Sequence, residues 1–474
     1  MYSIADSYFA VPLQLLGTMI ISRLLTPAET GVFAVAAVFA AFASTFRDFG
    51  VAEYLIQEKE LDNTKIRAAL TVNIAISWLM AIILFFGAPF AASFYQSEGV
   101  AEVMRLQSVN FLLIPFGAVT MANFRRLLDF RPIFIAGLLS NITTFTVSTA
   151  CAYRGFGYMS LAWSSLAGVI VTVCVSIWFR PIDFPKWPGI NGVGRVVHFG
   201  KFASGIYISG QLGKGAPEMI LGRALDLVGV ALFSRANGLI DIFNRTVLRA
   251  VMPVCLPYFA KSNREKGDIV DGYLRSVTFL TSIGWPFLVF IGIESYAAVR
   301  IVYGTQWLES VALAQILCAV GSVELVHYLA KEALIARGFV KRSNMLQIGI
   351  QTTRIVGLFA VIPFGLSGAC WGLLVAACAG TIQSQWHLSR GIGLSIKRLF
   401  QSCAPSLTVT CLSVVPVFIW TRINPVDESN FWTHAIGGGV ATATSWIIAL
   451  KALRHPLWNE LCEVARSIRI KLLH

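Results

Sequence analysis

Phe156-Gly157-Tyr158-Met159-Ser160-Leu161-Ala162-Trp163-Ser164-Ser165-Leu166 is echoed by Phe364-Gly365-Leu366-Ser367-Gly368-Ala369-Cys370-Trp371-Gly372-Leu373-Leu374. Phe-Gly, Trp and Leu recur at matching places, 208 positions apart. A second echo lies upstream. Ile21-Ser22-Arg23-Leu24-Leu25 with Gly31 and Phe33 resembles Leu221-Gly222-Arg223-Ala224-Leu225 with Gly229 and Phe233, near the same offset. All four stretches lie in or beside long apolar runs. In a membrane protein such a repeat points to two bundles built on one plan around a substrate path, and so to transport.

Working outward, the chain is 56% hydrophobic and only 13% charged, with a mean hydropathy of +0.69. Soluble domains carry about 25% charged residues. The apolar runs are about 17 to 25 residues long, enough for a helix to cross a hydrocarbon core. Six run from Ala5 to Phe179, six from Phe199 to Trp386, and two more cover Cys403 to Trp420 and Thr433 to Leu450. The runs are continuous rather than alternating, which excludes a strand barrel. The expected fold is an all-α polytopic membrane protein of about fourteen transmembrane helices, two parallel six-helix repeats plus two C-terminal helices. Residues 1–180 make an N-terminal lobe, 181–198 a cytoplasmic linker, 199–390 a C-terminal lobe and 391–450 the additional pair. The tail, 451–474, places Leu457, Leu461, Val464, Ile468 and Leu472 at helical spacing, as an interfacial helix against anionic membrane lipid does.

Basic residues come after the even-numbered runs: Lys59, Lys65 and Arg67, then Arg125, Arg126 and Arg131, and later Lys261, Arg264 and Lys266, with Arg337, Lys341 and Arg342 after the tenth. Positive charge marks the cytoplasmic side, so both termini are expected inside and the two copies run in the same sense. The net charge of +13 sits in these short loops, so topology accounts for it and no nucleic acid is expected as partner. No HExxH, GxxxxGK[ST] or GxSxG is present, and the nine cysteines form no CxxC pair. Neither catalysis, ATP use, a metal nor a cofactor is expected. Cys174, Cys318, Cys370 and Cys378 read as small buried packing residues. The start lacks a basic region and Arg23-Leu24-Leu25 is unlike a cleavage site, so no cleavable signal is expected.

The informative chemistry is polar residues at membrane depth, where ionisable groups are costly and face a cavity or a partner. In the eleventh run Gln347, Gln351 and Arg354 stack on one helical face, with Arg354 near mid-depth. Cavity lining is expected; the alternative is a salt bridge to a neighbouring span. In the eighth, Arg235, Asp241, Arg245 and Arg249 fall on one face, with Asp241 placed to neutralise Arg245. Arg245 and Arg249 lie near enough to the cytoplasmic end to snorkel instead. The seventh carries Lys214 and Glu218 among Gly205, Gly210, Gly213, Gly215 and Pro217, a helix expected to bend or break as a gate does. The alternative is that Lys214 and Glu218 form a pair that satisfies itself. The tenth places Glu324, His327 and Lys331 on one face, either a proton relay or a polar packing seam. The excess of buried cations suits an anionic substrate such as a phosphate or pyrophosphate head group.

With these residues laid out, the chain resembles the polysaccharide transporter (Wzx-type) flippases, similar to the exopolysaccharide (succinoglycan-type) members. The resemblance rests on Arg23-Leu24-Leu25-Thr26-Pro27-Ala28-Glu29-Thr30-Gly31, on Phe46-Arg47-Asp48-Phe49-Gly50, and on Val251-Met252-Pro253 through Leu256-Pro257. It implies the multidrug/oligosaccharidyl-lipid/polysaccharide export superfamily. Such proteins turn polyprenyl-pyrophosphate-linked oligosaccharide units across the bacterial inner membrane by alternating access, for exopolysaccharide or lipopolysaccharide synthesis. A polysaccharide polymerase and a chain-length regulator are the implied protein partners. Met1-Tyr2-Ser3-Ile4 lacks the basic lead of many relatives, which raises the expectation of a start further upstream. No invariant site carries over, so Arg354, Gln351, Gln347, Lys214, Arg245, Arg249 and Arg235 are expected to hold the substrate from depth and facing alone. Asp241, Glu324, Glu218 and His327 are the expected coupling-ion ligands. A lipid II flippase, a drug/cation antiporter and, in another class, a membrane polysaccharide polymerase are the competing readings. Acidic cavities and large periplasmic loops, expected of the last two, are missing from the sequence.

Overall fold

A computed structural model describes residues 2–48, 50–185, 187–264 and 268–472. The chain divides into two compact units, Met1–Ala231 and Leu232–His474. Every regular element among the described residues is helical. The first unit contains α1 (Tyr2–Leu24), α2 (Pro27–Asp48), α3 (Val51–Gln57), α4 (Asn63–Tyr95), α5 (Glu98–Leu113), α6 (Pro115–Arg126), α7 (Arg131–Tyr153), α8 (Met159–Trp178), α9 (Val193–Ala224) and the start of α10 (Leu227–Phe243). The second continues from α10 through a π-helical turn, Asn244–Leu248, into α11 (Arg249–Arg264), α12 (Ile269–Ile293), α13 (Ser295–Val302), α14 (Ser310–His327) and α15 (Ala330–Ala336). It ends with α16 (Val340–Val361), α17 (Gly365–Ile392), α18 (Ile396–Ile423), α19 (Phe431–Thr433), a second π turn at His434–Gly438, α20 (Gly439–Ala452) and α21 (Pro456–Leu472).

Nine described helical segments are long and apolar enough to span a bilayer, and α5 with α6, bent by 53°, makes a tenth. One of the nine, Val340–Ile392, holds both α16 and α17. The remaining expected spans fall on α1, whose residues Val11–Leu24 form a shorter apolar helix, on α9, and on α10 with α11, which a π turn interrupts.

The repeat is visible in the backbone. Helices end at Leu24 and Ala224 and restart at Pro27 and Leu227. The first restart is a capping box: Thr26 N–H and Oγ1 both donate to Glu29 Oε2 at 2.8 Å, and Glu29 N–H donates back to Thr26 Oγ1 at 3.3 Å. At the second, Gly229 N–H donates to Asp226 Oδ1. Further along, Gln96 and Gly304, 208 positions apart, both take positive φ (52° and 102°) at the foot of α5 and α14. Gly157 and Gly365 do the same (53° and 73°) in the turns that fold α7 onto α8 and α16 onto α17. Gly365 has open space around it and is a turn residue, whereas Gly372 lies against the backbone of Gly357, where the lack of a side chain lets two helices approach closely.

One pair of matched elements differs. α4 is continuous over 33 residues, about 50 Å at the helical rise. Its counterpart is broken at Glu294 into α12 and α13. On α4 the outer face is open, with Ile82 53% and Phe86 68% exposed. Phe86 lies 208 positions before Glu294, which is 1% exposed. The cover comes from α18 and α20. A seam of small polar residues on α18 beds against α12: Thr278 Oγ1 donates to Ser402 O at 3.0 Å, and Ser406 Oγ donates to Thr278 O at 2.9 Å. Trp446 of α20 donates Nε1–H to Ser282 O at 2.8 Å.

Cysteines divide by facing. Cys318 and Cys370 are buried as expected, but Cys174 and Cys378 are exposed, because they sit on outward helix faces where lipid rather than protein surrounds an apolar run. The tail folds as α21, with Leu457 in a buried cluster beside Val409, Ala449 and Leu450. Of its apolar stripe, the side chains of Val464, Ile468 and Leu472 lie outside the described residues.

Candidate functional site

The densest polar cluster of the second unit lies on α14, α16 and α17. Arg354 Nη1 stands 3.8 Å from Glu324 Oε1, with the two side chains 24% and 34% exposed. This is the neighbouring-span carboxylate of the alternative reading, yet the contact is beyond hydrogen-bond length. Arg354 Nε and Gln351 Oε1 are buried without a hydrogen-bond partner among the described residues. One turn below, His327 Nδ1 is 3.1 Å from Thr381 Oγ1, and Gln383 Nε2 donates to Thr353 Oγ1 at 2.7 Å. Gln347 is half-buried on the same helix as Gln351. The structure therefore brings Glu324, His327, Gln351 and Arg354 together. A guanidinium with a loose counter-ion and unused donors can take an anion; a carboxylate released from it can take a cation. Lys331 is set apart from this group, because α14 ends at His327 and the chain restarts as α15 at Ala330.

The face expected on the eighth span does not form as one stripe. The π turn at Asn244–Leu248 adds a residue to the winding and rotates the helix beyond it. Asp241 Oδ1 accepts from Asn244 Nδ2 at 3.1 Å rather than pairing with Arg245. Arg245 and Arg249 are exposed, in keeping with snorkelling. Arg235 is caged: its guanidinium lies 4.9 Å from the Trp307 ring centroid and 5.4 Å from that of Tyr303. Two aromatic faces stabilise the cation there, and its Nε has no hydrogen-bond partner among the described residues.

In the first unit α9 runs through Pro217 without a break, which leaves a bend as the remaining form of the expectation. Gly215 packs against Val38 of α2. Glu218 is half-buried on α9, and the side chain of Lys214 lies outside the described residues. This unit also holds a cavity of about 520 Å³ whose walls include Ser140, Thr144, Ser164, Ser165, Thr172 and Arg47. Asn110 Nδ2 donates to Ser165 Oγ at 3.1 Å. Its wall is mainly apolar, with these hydroxyls as a neutral polar minority beside Arg47.

A further group was missed by sequence reasoning. Glu294 Oε1 lies 3.1 Å from His434 Nδ1 and accepts from Thr421 Oγ1 at 3.1 Å. Each residue sits at or beside the end of an apolar run, where a polar residue reads as a loop boundary. Only the break in the copy of α4 and the presence of two extra spans hinted at it.

Over residues 20–312 the chain matches the family described as polysaccharide biosynthesis protein. It is 23% identical to the teichuronic acid biosynthesis protein TuaB of Bacillus subtilis, covering 80% of this chain and 79% of that one. It is 22% identical to the succinoglycan biosynthesis transport protein ExoT of Rhizobium meliloti, covering 94% and 91%. The lipopolysaccharide biosynthesis protein WzxC of Escherichia coli is 21% identical over 82% and 80%. Among solved structures, the lipid II flippase MurJ in an inward closed conformation superposes with a TM-score of 0.75 at 13% identity, covering 96% of this chain and 99% of that one. An inward-facing multidrug resistance MATE family transporter of the MOP superfamily gives 0.59 at 15% identity, covering 83% and 95%. Fold and sequence agree: this chain is a member of the polysaccharide biosynthesis protein family, built on the helical plan that MurJ and the MATE transporters share.

Proposed function

We propose that the protein is a flippase that turns polyprenyl-pyrophosphate-linked oligosaccharide units across the bacterial inner membrane by alternating access, with both termini in the cytoplasm. The observation that carries this reading is the relationship to a succinoglycan transport protein along 94% of the chain. The residues supply a physical rationale. Arg354, whose nearest carboxylate stands beyond hydrogen-bond length, takes the pyrophosphate with Gln351 and Gln347, because a guanidinium pairs bidentately with phosphoryl oxygens. The hydroxyls of Ser140, Thr144, Ser164, Ser165 and Thr172 in the otherwise mainly apolar cavity of the first unit offer hydrogen bonds to sugar hydroxyls. Glu324, freed as Arg354 engages the substrate, binds the coupling cation, with His327 beside it. Arg245 and Arg249 attract the head group from the cytoplasmic surface.

Purified protein in proteoliposomes tests the reading. A polyprenyl-pyrophosphate-linked oligosaccharide placed in one leaflet becomes accessible to an impermeant reagent on the other side, faster than in protein-free vesicles. Equal movement of lipid II would extend the substrate class. Movement of neither, in protein shown to be folded, would overturn the proposal.

A further inference from the structure

The cluster of Glu294, His434 and Thr421 has no place in the transport reading, and Glu294 and His434 are almost completely shielded from solvent. His434 is 0% exposed and Glu294 1%. Both Nδ1 of the imidazole and the hydroxyl of Thr421 converge on Glu294 Oε1, each at 3.1 Å. The other ends, Glu294 Oε2 and His434 Nε2, are buried with no hydrogen-bond partner among the described residues. Trp420 stacks on the imidazole at 4.8 Å between centroids and 22° between planes.

A buried carboxylate beside a neutral imidazole would leave a net charge in a low-dielectric interior, which is costly. One added proton, on the carboxyl, makes the pair neutral overall. Access is built in. A cavity of about 430 Å³ is walled by Gly292 and Ile293, the two residues before Glu294, and by Thr421 itself. Gln315, Ser322 and Arg422 join Thr421 as the polar part of a mainly apolar wall, and the cavity is large enough for several waters.

Most of the charged groups on the surrounding elements are distant in sequence or held elsewhere. α12 carries no charged side chain closer in sequence than Arg275, and α20 none before Lys451. On α13, the Arg300 guanidinium is turned over Phe431 at 5.2 Å; on α18, that of Arg422 over Phe418 at 5.2 Å. On α14, the nearest ionisable groups are Glu309 just before the helix and Glu324, fourteen residues after its start at Ser310. In the loop before α19, Asp427 accepts from Ser429 Oγ and from the Ser429 and Asn430 N–H groups, which hold its carboxyl below the usual range, and it is the one acidic group of this loop within electrostatic reach of His434 among the described residues. Glu428 beside it is exposed.

We infer that Glu294 and His434 form a proton-binding site, filled through the cavity at Thr421, whose occupancy seats α18 and α20 against α12. The internal repeat supports this. The first unit has no counterpart of α18 and α20, and where the second has Glu294 it has the exposed Phe86. The carboxylate and the helices that bury it occur together.

The step is a plain protonation: a solvent proton adds to the pair without other bonds changing, and leaves by the same route. Infrared pH-difference spectra of the full chain in proteoliposomes, with Trp420 fluorescence taken as wild type minus Trp420→Phe, report it directly. The expected result is a protonated-carboxyl C=O band and a Trp420 signal that titrate together. Glu294→Gln removes the band, while Glu428→Gln leaves it. His434→Gln moves the midpoint by about one pH unit or more, a tenfold change in proton affinity. Thr421→Val also shifts the midpoint, which keeps the test open should Glu294→Gln fail to fold. A band that persists in Glu294→Gln, or a midpoint untouched by both His434→Gln and Thr421→Val, would overturn the inference. None of these readouts depends on substrate, so failure here is distinct from failure of the flippase reading.

Discussion

Neutralising Arg354 and Glu324, singly and together, separates the two roles their contact permits. At 3.8 Å two unit charges attract by about 4 kcal/mol at an effective dielectric of about 20 and by about 1 kcal/mol under full water screening. With a quarter to a third of each side chain exposed and no hydrogen bond between them, the coupling lies between these limits, roughly sixfold to roughly a thousandfold in a rate. Were Arg354 simply half of an internal pair, Arg354→Gln would be harmful because it strands Glu324, and the double change Arg354→Gln/Glu324→Gln would restore transport. If Arg354 holds the pyrophosphate, the double variant stays impaired. Losing a charged hydrogen-bond donor to the substrate costs about 1.5 to 3 kcal/mol, roughly ten- to a hundredfold. The assay is the initial rate of leaflet exchange in proteoliposomes, normalised to folded protein. Recovery of the double variant to within about twofold of wild type, a difference of roughly 0.4 kcal/mol, would refute the assignment of Arg354 to the substrate.

Thr26→Ala removes one side of the capping box at the head of α2 and is expected to cost about 1 kcal/mol, read as a lower melting temperature, with Thr26→Ser close to wild type. Gly157→Ala and Gly365→Ala both force a side chain into positive φ, at about 1 kcal/mol each. Only the first also drives its Cβ into Glu29 Oε1, so it is expected to melt lower. The His455 imidazole, whose Nδ1 accepts from Leu457 N–H at 3.2 Å, has its proton affinity lowered by burial. The folded chain therefore takes up fewer protons than the unfolded one below about pH 6.5. Stability of the α20–α21 junction falls as the pH drops through that value, and hydrogen exchange across it in His455→Asn should show a flatter profile.

Much of this architecture was legible because it depends on composition and spacing. Apolar length gave the helices, and Phe156-Gly157 against Phe364-Gly365 gave the duplication, since only glycine suits the left-handed turn that folds one span onto the next. The motif around Thr26 and Glu29 carried its own cause, a helix start. Facing was less legible. A period of 3.6 residues put Arg235, Asp241 and Arg245 on one stripe, but a π turn is set by tertiary packing and leaves no sequence signature, so the stripe came apart. Pro217 sits inside a helix that stays unbroken in spite of it. Glu324 and Arg354, thirty residues apart, were each picked out alone; that they meet depends on how α14 packs on α17 and α17 on α16. Glu294 and His434 escaped because hydropathy assigns a polar residue at the end of an apolar run to the loop.

The two glycine-turned hairpins, α7–α8 and α16–α17, are the most extensive helix pairings in the chain, and each joins neighbours across a handful of residues. Contacts that close so little chain form early. During synthesis, each copy thus carries a hairpin able to enter the bilayer as a finished pair as soon as its second helix is made. In the first unit α1 later packs on α7 and α5 on α8, and in the second α14 packs on α17. The order of biogenesis is therefore written in the turns: a defect at Gly157 or Gly365 should surface first as failed insertion and degradation of the nascent chain, and only in what survives as slow transport.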